Sequence, residues 1–179
     1  MTTLIKTIAS ALLAVAVTFA AHAQHKHETG FKMPALNPKS ELAGISGNHV
    51  GIRVPDYAAA IKWYTEKLDF RVIHEWDYAD EKLAYLAPAN TNDFWLEILA
   101  EGKLEPNEKF DDLGKSLGRG GYHHLCFHVA NVEKTLSELR KRGVTVVGQP
   151  FYLEAITRNL AFVQDPWGNM IELSEVVKK

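Results

Sequence analysis

The sequence predicts an α+β fold in which two βαβββ modules curl into a mixed sheet. The chain repeats itself at a constant offset of 75 residues, the sign of a duplicated supersecondary unit. Each copy opens with an alternating apolar run that passes through an Asp or Asn into apolar residues at helical spacing. Runs rich in aromatic and branched residues come after each helix signal, split by turn residues, and read as strands.

The 179 residues are 46% hydrophobic and 23% charged, with 20 Lys plus Arg against 22 Asp plus Glu, the balance of a globular protein. That charge leaves no basic surplus for phosphates, and no Lys/Arg run is interleaved with aromatics, so no nucleic-acid partner is expected. A single cysteine, Cys126, excludes an internal disulfide and a Cys-based zinc site within one chain. Eight histidines remain as the more informative count.

At the start, Lys6, an apolar run from Ile8 to Ala20 and the small-x-small stretch Ala21-His22-Ala23 read as a secretory signal peptide over residues 1–23. The run falls short of the roughly 20 apolar residues that span a bilayer. Cleavage, export to the periplasm and no stable membrane anchor are therefore expected. Cleavage leaves 19 positive against 22 negative side chains, a charge of −3. Residues 24–47 are rich in His, Lys, Pro, Gly and Ser and read as a flexible arm, in which His25 and His27 are only incidental metal candidates.

The first module is assigned to residues 48–100. Asn48-His-Val-Gly-Ile-Arg-Val-Pro-Asp56 aligns without a gap on His123-His-Leu-Cys-Phe-His-Val-Ala-Asn131, so that His49 pairs with His124 and Asp56 with Asn131. Both Asp56 and Asn131 are good N-caps, and the helices they open stay in step, Ile61 on Leu136 and Tyr64 on Leu139. Phe70 to Tyr78, Lys82 to Ala87 and Phe94 to Ala100 complete the module as strands. Residues 101–121, with Pro106 and five glycines, read as a linker. In the second module, residues 122–177, the later strands are Val144 to Gly148, Arg158 to Gln164 and Asn169 to Val176. The repeat returns at the far end, where Trp95-Leu-Glu-Ile98 falls on Met170-Ile-Glu-Leu173. A half of about 55 residues buries little core alone, so the two are expected to pack as one unit.

Strand parity selects the chemistry, because side chains alternate faces. Val50, Ile52 and Val54 take the helix face and leave His49, Gly51 and Arg53 on the other; Leu125, Phe127 and Val129 leave His124, Cys126 and His128. By the same rule Leu96 and Ile98 leave Trp95 and Glu97, and Ile171 and Leu173 leave Met170 and Glu172. A carboxylate in an apolar strand is costly unless it is paired or holds a metal. Two imidazoles and two carboxylates suit one divalent ion such as Ni, Zn, Co, Mn or Fe(II). His49, Glu97, His124 and Glu172 are the expected ligands. His128 and Arg158 are candidate substrate contacts, and Trp95, Met170, Phe151, Tyr152 and Trp167 candidate pocket walls. His74 and His123 are read as structural or surface residues.

The pattern resembles the vicinal oxygen chelate superfamily, the glyoxalase, bleomycin-resistance and extradiol-dioxygenase group. The likeness spans about residues 46–177 and rests on His49-Val-Gly-Ile-Arg-Val-Pro-Asp56, Trp63-Tyr64, Leu68-Asp-Phe70 and Leu96-Glu97-Ile98. In the second half it rests on Tyr122-His-His124-Leu-Cys-Phe and Phe162-Val-Gln-Asp165-Pro-Trp-Gly168-Asn-Met-Ile-Glu172-Leu. The resemblance implies the family fold of paired βαβββ modules around one metal, with ligands at His49, Glu97, His124 and Glu172. A Glu at position 97 is similar to the lactoylglutathione lyase arrangement, and Arg53 matches a glyoxalase arginine that meets substrate.

By function, the resemblance implies a metal-dependent lyase or isomerase that stabilises an enediolate of a small oxygen-chelating substrate. Glu172 and Glu97 would move the proton. Two other readings stand beside it. One is an Fe(II) ring-cleaving dioxygenase using His49, His124 and Glu172; the other is a metal-free module that sequesters a small molecule. A homodimer is expected, and whether one chain or two close the site is left open.

Overall fold

A computed structural model describes residues 31–177. The expected signal peptide and both His25 and His27 lie outside the described residues. Residues 31–47 form neither helix nor strand, and all but Ser40 are exposed.

Each module is a strand, a helix and three strands. In the first these are β1 (His49–Val54), α1 (Tyr57–Leu68), β2 (Arg71–Tyr78), β3 (Glu81–Ala87) and β4 (Trp95–Glu101). A short α2 (Leu113–Ser116) sits in the connection, where the sequence showed only linker signals. The second module holds β5 (His124–His128), α3 (Val132–Lys141), β6 (Thr145–Leu153), β7 (Arg158–Gln164) and β8 (Met170–Val176). A 3-10 turn at Glu154–Ile156 precedes β7. Strand β6 runs further than the sequence suggested, through Pro150 to Leu153, with register shifts on β7 that accommodate the proline.

The helices start where the caps require. Asp56 Oδ1 accepts from the Ala59 amide at 2.9 Å and Asn131 Oδ1 from the Lys134 amide at 2.8 Å, satisfying amides that the first helical turn leaves orphaned. Each helix carries the chain across so that the first and last strands of a module pair in parallel. The sheet orders are β1-β4-β3-β2 and β5-β8-β7-β6.

One core serves both modules. Ile52, Val54, Leu96, Ile98 and Tyr64 join Leu125, Ile171, Leu173, Val132 and Leu136 in a single apolar cluster. Phe127 closes it by packing edge-on against Phe70 and Phe94, with ring centroids 5.6 and 5.4 Å away. Tyr64, fully buried, donates its hydroxyl to Asp165 Oδ2 at 3.0 Å, across 101 residues of chain. Asp165 also accepts from the amides of Trp167 and Asn169 and from the Asn169 side chain, at 2.7 to 2.9 Å. This explains the Asp165-Pro-Trp-Gly168-Asn169 stretch physically: a buried carboxylate organises the turn into β8 and ties it to α1. Gly168 is needed there, because its φ is +89° and a Cβ would lie 2.6 Å from the Glu108 carbonyl.

A second, smaller cluster covers the other face of β7, where Val147, Leu160, Phe162 and Met170 pack under Phe110 and Leu113 of the connection. The connecting segment is thus docked through Phe110, Leu113 and the buried Ser116, while most of its other residues are exposed. Gln164 Nε2 anchors it by donating to the Phe110 carbonyl at 2.7 Å.

Candidate functional site

Parity places the four expected ligands as the sequence indicates. On β4, Leu96, Ile98 and Ala100 are buried and Trp95, Glu97 and Leu99 half-buried; on β1 the buried residues are Ile52 and Val54. The parallel register sets Gly51 beside Glu97 and Cys126 beside Glu172. In consequence His49 Nε2 lies 3.3 Å from Glu97 Oε2, and His124 Nε2 lies 2.8 Å from Glu172 Oε2. Gly51 leaves room for the first carboxylate, since a Cβ there would sit 3.2 Å from Glu97 Oε2.

Both pairs are built alike. The histidine packs on the aromatic ring that faces the glutamate from the next strand: His49 on Tyr85, 5.2 Å between centroids, and His124 on Phe162, 5.5 Å. Each imidazole has a polar partner at Nδ1, Asn48 Oδ1 at 2.6 Å for His49 and His123 Nδ1 at 2.8 Å for His124. An Nδ1 held from behind leaves Nε2 for the carboxylate side, the arrangement of metal-ligating histidines. Imidazole nitrogen and carboxylate oxygen form a donor set for a borderline divalent ion. The residues of each pair fit that role, with histidine side chains about one-third exposed and glutamates 16% and 12% exposed.

The structure does not bring the pairs together within one chain. Among the described residues no three of His, Cys, Asp and Glu converge on a point that would hold an ion. The physical reason is the shared core: the modules join through their helix-side faces, and the pairs lie on the faces outside it.

The remaining expected contacts divide. Trp95 stands beside His49 in a row of rings, Trp95 to Tyr85 at 5.3 Å and Tyr85 to Trp76 at 4.7 Å, and its indole N–H is buried without a partner. Arg53 shares the face of His49, but its guanidinium is engaged by Glu81 at 2.6 Å and by the Glu101 carbonyl at 3.0 Å. His128 is exposed at the end of β5, and Arg158, half-buried on β7, acts electrostatically on the Cys126 thiol. Met170, 5% exposed, belongs to the cluster that Phe110 and Leu113 cover and lines a small cavity together with Ser116 and His123. Phe151 and Tyr152 are exposed at 38% and 50%, whereas Trp167 packs against the main core.

Cys126 is exposed and stands beside Glu172 in the strand register. Burial first, and then the Glu172 carboxylate, push its thiol up to about 11. Two residues passed over in the sequence belong to this neighbourhood. His123, read as a structural or surface residue, contacts His124, and Ser116 contacts His123 at 3.0 Å. The His-His dipeptide was the available signal for the first; nothing in a glycine-rich linker marks the second.

Comparison with known proteins agrees with this architecture. The family model described as Glyoxalase/Bleomycin resistance protein/Dioxygenase superfamily matches residues 47–173. A lactoylglutathione lyase of Schizosaccharomyces pombe is 27% identical over 157 residues, 78% of this chain and 51% of the relative. A 2-epi-5-epi-valiolone epimerase from Actinomyces sp. is 30% identical over 149 residues, 72% of this chain and 78% of the relative. A crystal structure of a glyoxalase I variant from Zea mays superposes with a TM-score of 0.56 at 25% identity, covering 73% of this chain and 45% of that one. The chain spans about half the length of the yeast lyase that it matches. With its duplicated modules, its register and its matched length, the chain belongs to the glyoxalase/bleomycin resistance protein/dioxygenase superfamily.

Proposed function

We propose that the chain is an exported, metal-dependent lyase or isomerase of the glyoxalase kind. Its substrate is a small molecule with two adjacent oxygens, and its active form is a homodimer. The carrying observation is the duplicated His–Glu pair, His49 with Glu97 and His124 with Glu172, each with Nε2 turned to a carboxylate and Nδ1 held from behind. Lactoylglutathione lyases among the relatives support the reaction class.

A two-fold dimer that sets the first pair of one subunit against the second pair of its partner makes two identical four-donor sites, because an isologous interface pairs every contact twice. His49, Glu97, His124 and Glu172 would hold the divalent ion, which supplies Lewis-acid polarisation of the substrate oxygens when bound. Glu172 takes the proton from the carbon beside the carbonyl and Glu97 returns one on the other side. The ring row of Trp76, Tyr85 and Trp95 excludes water along one wall. Arg53 meets a substrate anion only by exchanging Glu81 for it.

Elemental analysis and light scattering of the mature chain test this reading. One metal per subunit, a dimeric mass, and loss of the metal in His49→Ala are the expected results. Glu172→Gln should abolish turnover of an assayable substrate far more than it lowers metal content. A monomer without stoichiometric metal refutes the proposal, and equal turnover in Glu172→Gln refutes the role of that residue.

A further inference from the structure

The two imidazoles are held from behind by different chemistry. Behind His49 stands one amide oxygen, Asn48 Oδ1. Behind His124 stands a chain of groups that reaches into the segment between the modules. Ser116, 1% exposed at the end of α2, has its hydroxyl 2.7 Å from the Leu113 carbonyl and 3.0 Å from His123 Nε2. His123 Nδ1 lies 2.8 Å from His124 Nδ1, and His124 Nε2 lies 2.8 Å from Glu172 Oε2.

Proton counting gives this chain a direction. A carbonyl oxygen only accepts, so the Ser116 proton goes to Leu113. The Ser116 oxygen then accepts from His123 Nε2–H. A neutral imidazole carries one N–H, so His123 Nδ1 is a bare acceptor and His124 Nδ1 donates to it. That leaves His124 Nε2 as a lone pair facing a carboxylate, and two such groups at hydrogen-bond distance repel unless a proton or a metal cation sits between them. The opposite proton order would leave the Ser116 oxygen and the Leu113 carbonyl as two acceptors in contact at 2.7 Å.

We propose that Ser116 and His123 are positioning residues that lock His124 as its Nδ1–H tautomer and so prepare Nε2 and Glu172 for a divalent cation. The proposal rests on the metal-centre reading above. It also gives the connecting segment a function. Phe110 and Leu113 pack on the cluster that includes Phe162, the ring that His124 rests against, and this docking carries Ser116 to His123. Position 123 is the repeat partner of position 48, so a single asparagine at one half and a histidine–serine relay at the other do the same work.

The test uses the full mature chain, with zinc affinity measured by competition against a chromophoric chelator. His123→Ala should weaken binding about 10- to 100-fold, the usual cost of losing a partner behind a metal-bound histidine. His123→Asn, which restores the amide oxygen that the first module uses, should bind close to wild type, and Ser116→Ala should fall between. Nitrogen-15 spectra of the zinc-loaded wild type should show His123 protonated at Nε2 and bare at Nδ1, a readout that a merely structural role does not set. Wild-type affinity in His123→Ala, or a His123 proton on Nδ1, overturns the relay while the metal centre stands. A wild-type chain that binds no zinc overturns the metal reading and the relay with it. The spectra come from the unmutated chain, so the relay is testable even if His123→Ala does not fold.

Discussion

Replacing Tyr64 by Phe removes one oxygen atom from the centre of the molecule and leaves the ring contacts in place. The ring stays wedged between Trp63 and Phe70, with centroids 4.8 and 5.9 Å away. What disappears is the 3.0 Å hydrogen bond to Asp165. Asp165 keeps three other donors, from Trp167 and Asn169, so the carboxylate is not stripped. The cost is then that of one hydrogen bond to a charged group, about 1.5 to 3 kcal/mol. For a domain of this size that lowers Tm by about 3 to 12 °C. Urea unfolding monitored by tryptophan fluorescence should show a lower midpoint at an unchanged slope. A pH series adds a second signature. Burial, and after it the Asp165 charge, raises the Tyr64 phenol well above its ordinary 10.0. The unfolded chain therefore releases this proton from about pH 10 upward while the folded chain keeps it, so stability is full below that pH and falls as pH rises through it. Tyr64→Phe should flatten that alkaline limb, although Tyr57, also raised by burial and by Glu75, preserves part of it. A variant as stable as wild type, with the same alkaline slope, would refute the argument that Tyr64 and Asp165 lock the modules together.

Two further outcomes concern Gly168 and Cys126. Gly168→Ala should destabilise by about 2 to 5 kcal/mol, adding the strain of a left-handed alanine to the displacement of the Glu108 carbonyl, and a thermal melt at wild-type Tm would contradict the contact. In the metal-free chain Cys126, although exposed, should react slowly with iodoacetamide at pH 8. Its thiol is raised from 9.0 to about 11, leaving about a hundredfold less thiolate. The rate should climb steeply toward pH 11 and increase in Glu172→Gln, which removes the neighbouring charge; fast alkylation of the wild type near pH 7 would show that burial and Glu172 do not govern the thiol.

The duplicated half was legible in the residues alone, because it is a local property. Alternation at Val50, Ile52 and Val54, the caps Asp56 and Asn131, and the offset that pairs His49 with His124 and Glu97 with Glu172 all operate over a few residues and recur. Period-two alternation also decided which face the histidines take, since a one-residue slip would have buried them under a helix. Packing between distant segments is where the residues fell silent. Met170 obeys the parity that put it on the open face, yet the connection covers it, and no pattern in a glycine-rich stretch announces that Phe110 and Leu113 will dock on β7. Arg53 was legible as a cation on the right face but not as the partner of Glu81, which is brought to it by the turn between β2 and β3.

The sequence by itself determined the two modules and the strand face on which each imidazole and each carboxylate lies, because backbone periodicity sets these. Only the tertiary structure decided that the pairs stay apart within a chain, since that depends on which faces the modules spend on their common core. It also decided that His124 is backed by His123 and Ser116, a contact made by side chains whose approach depends on how the connecting segment packs.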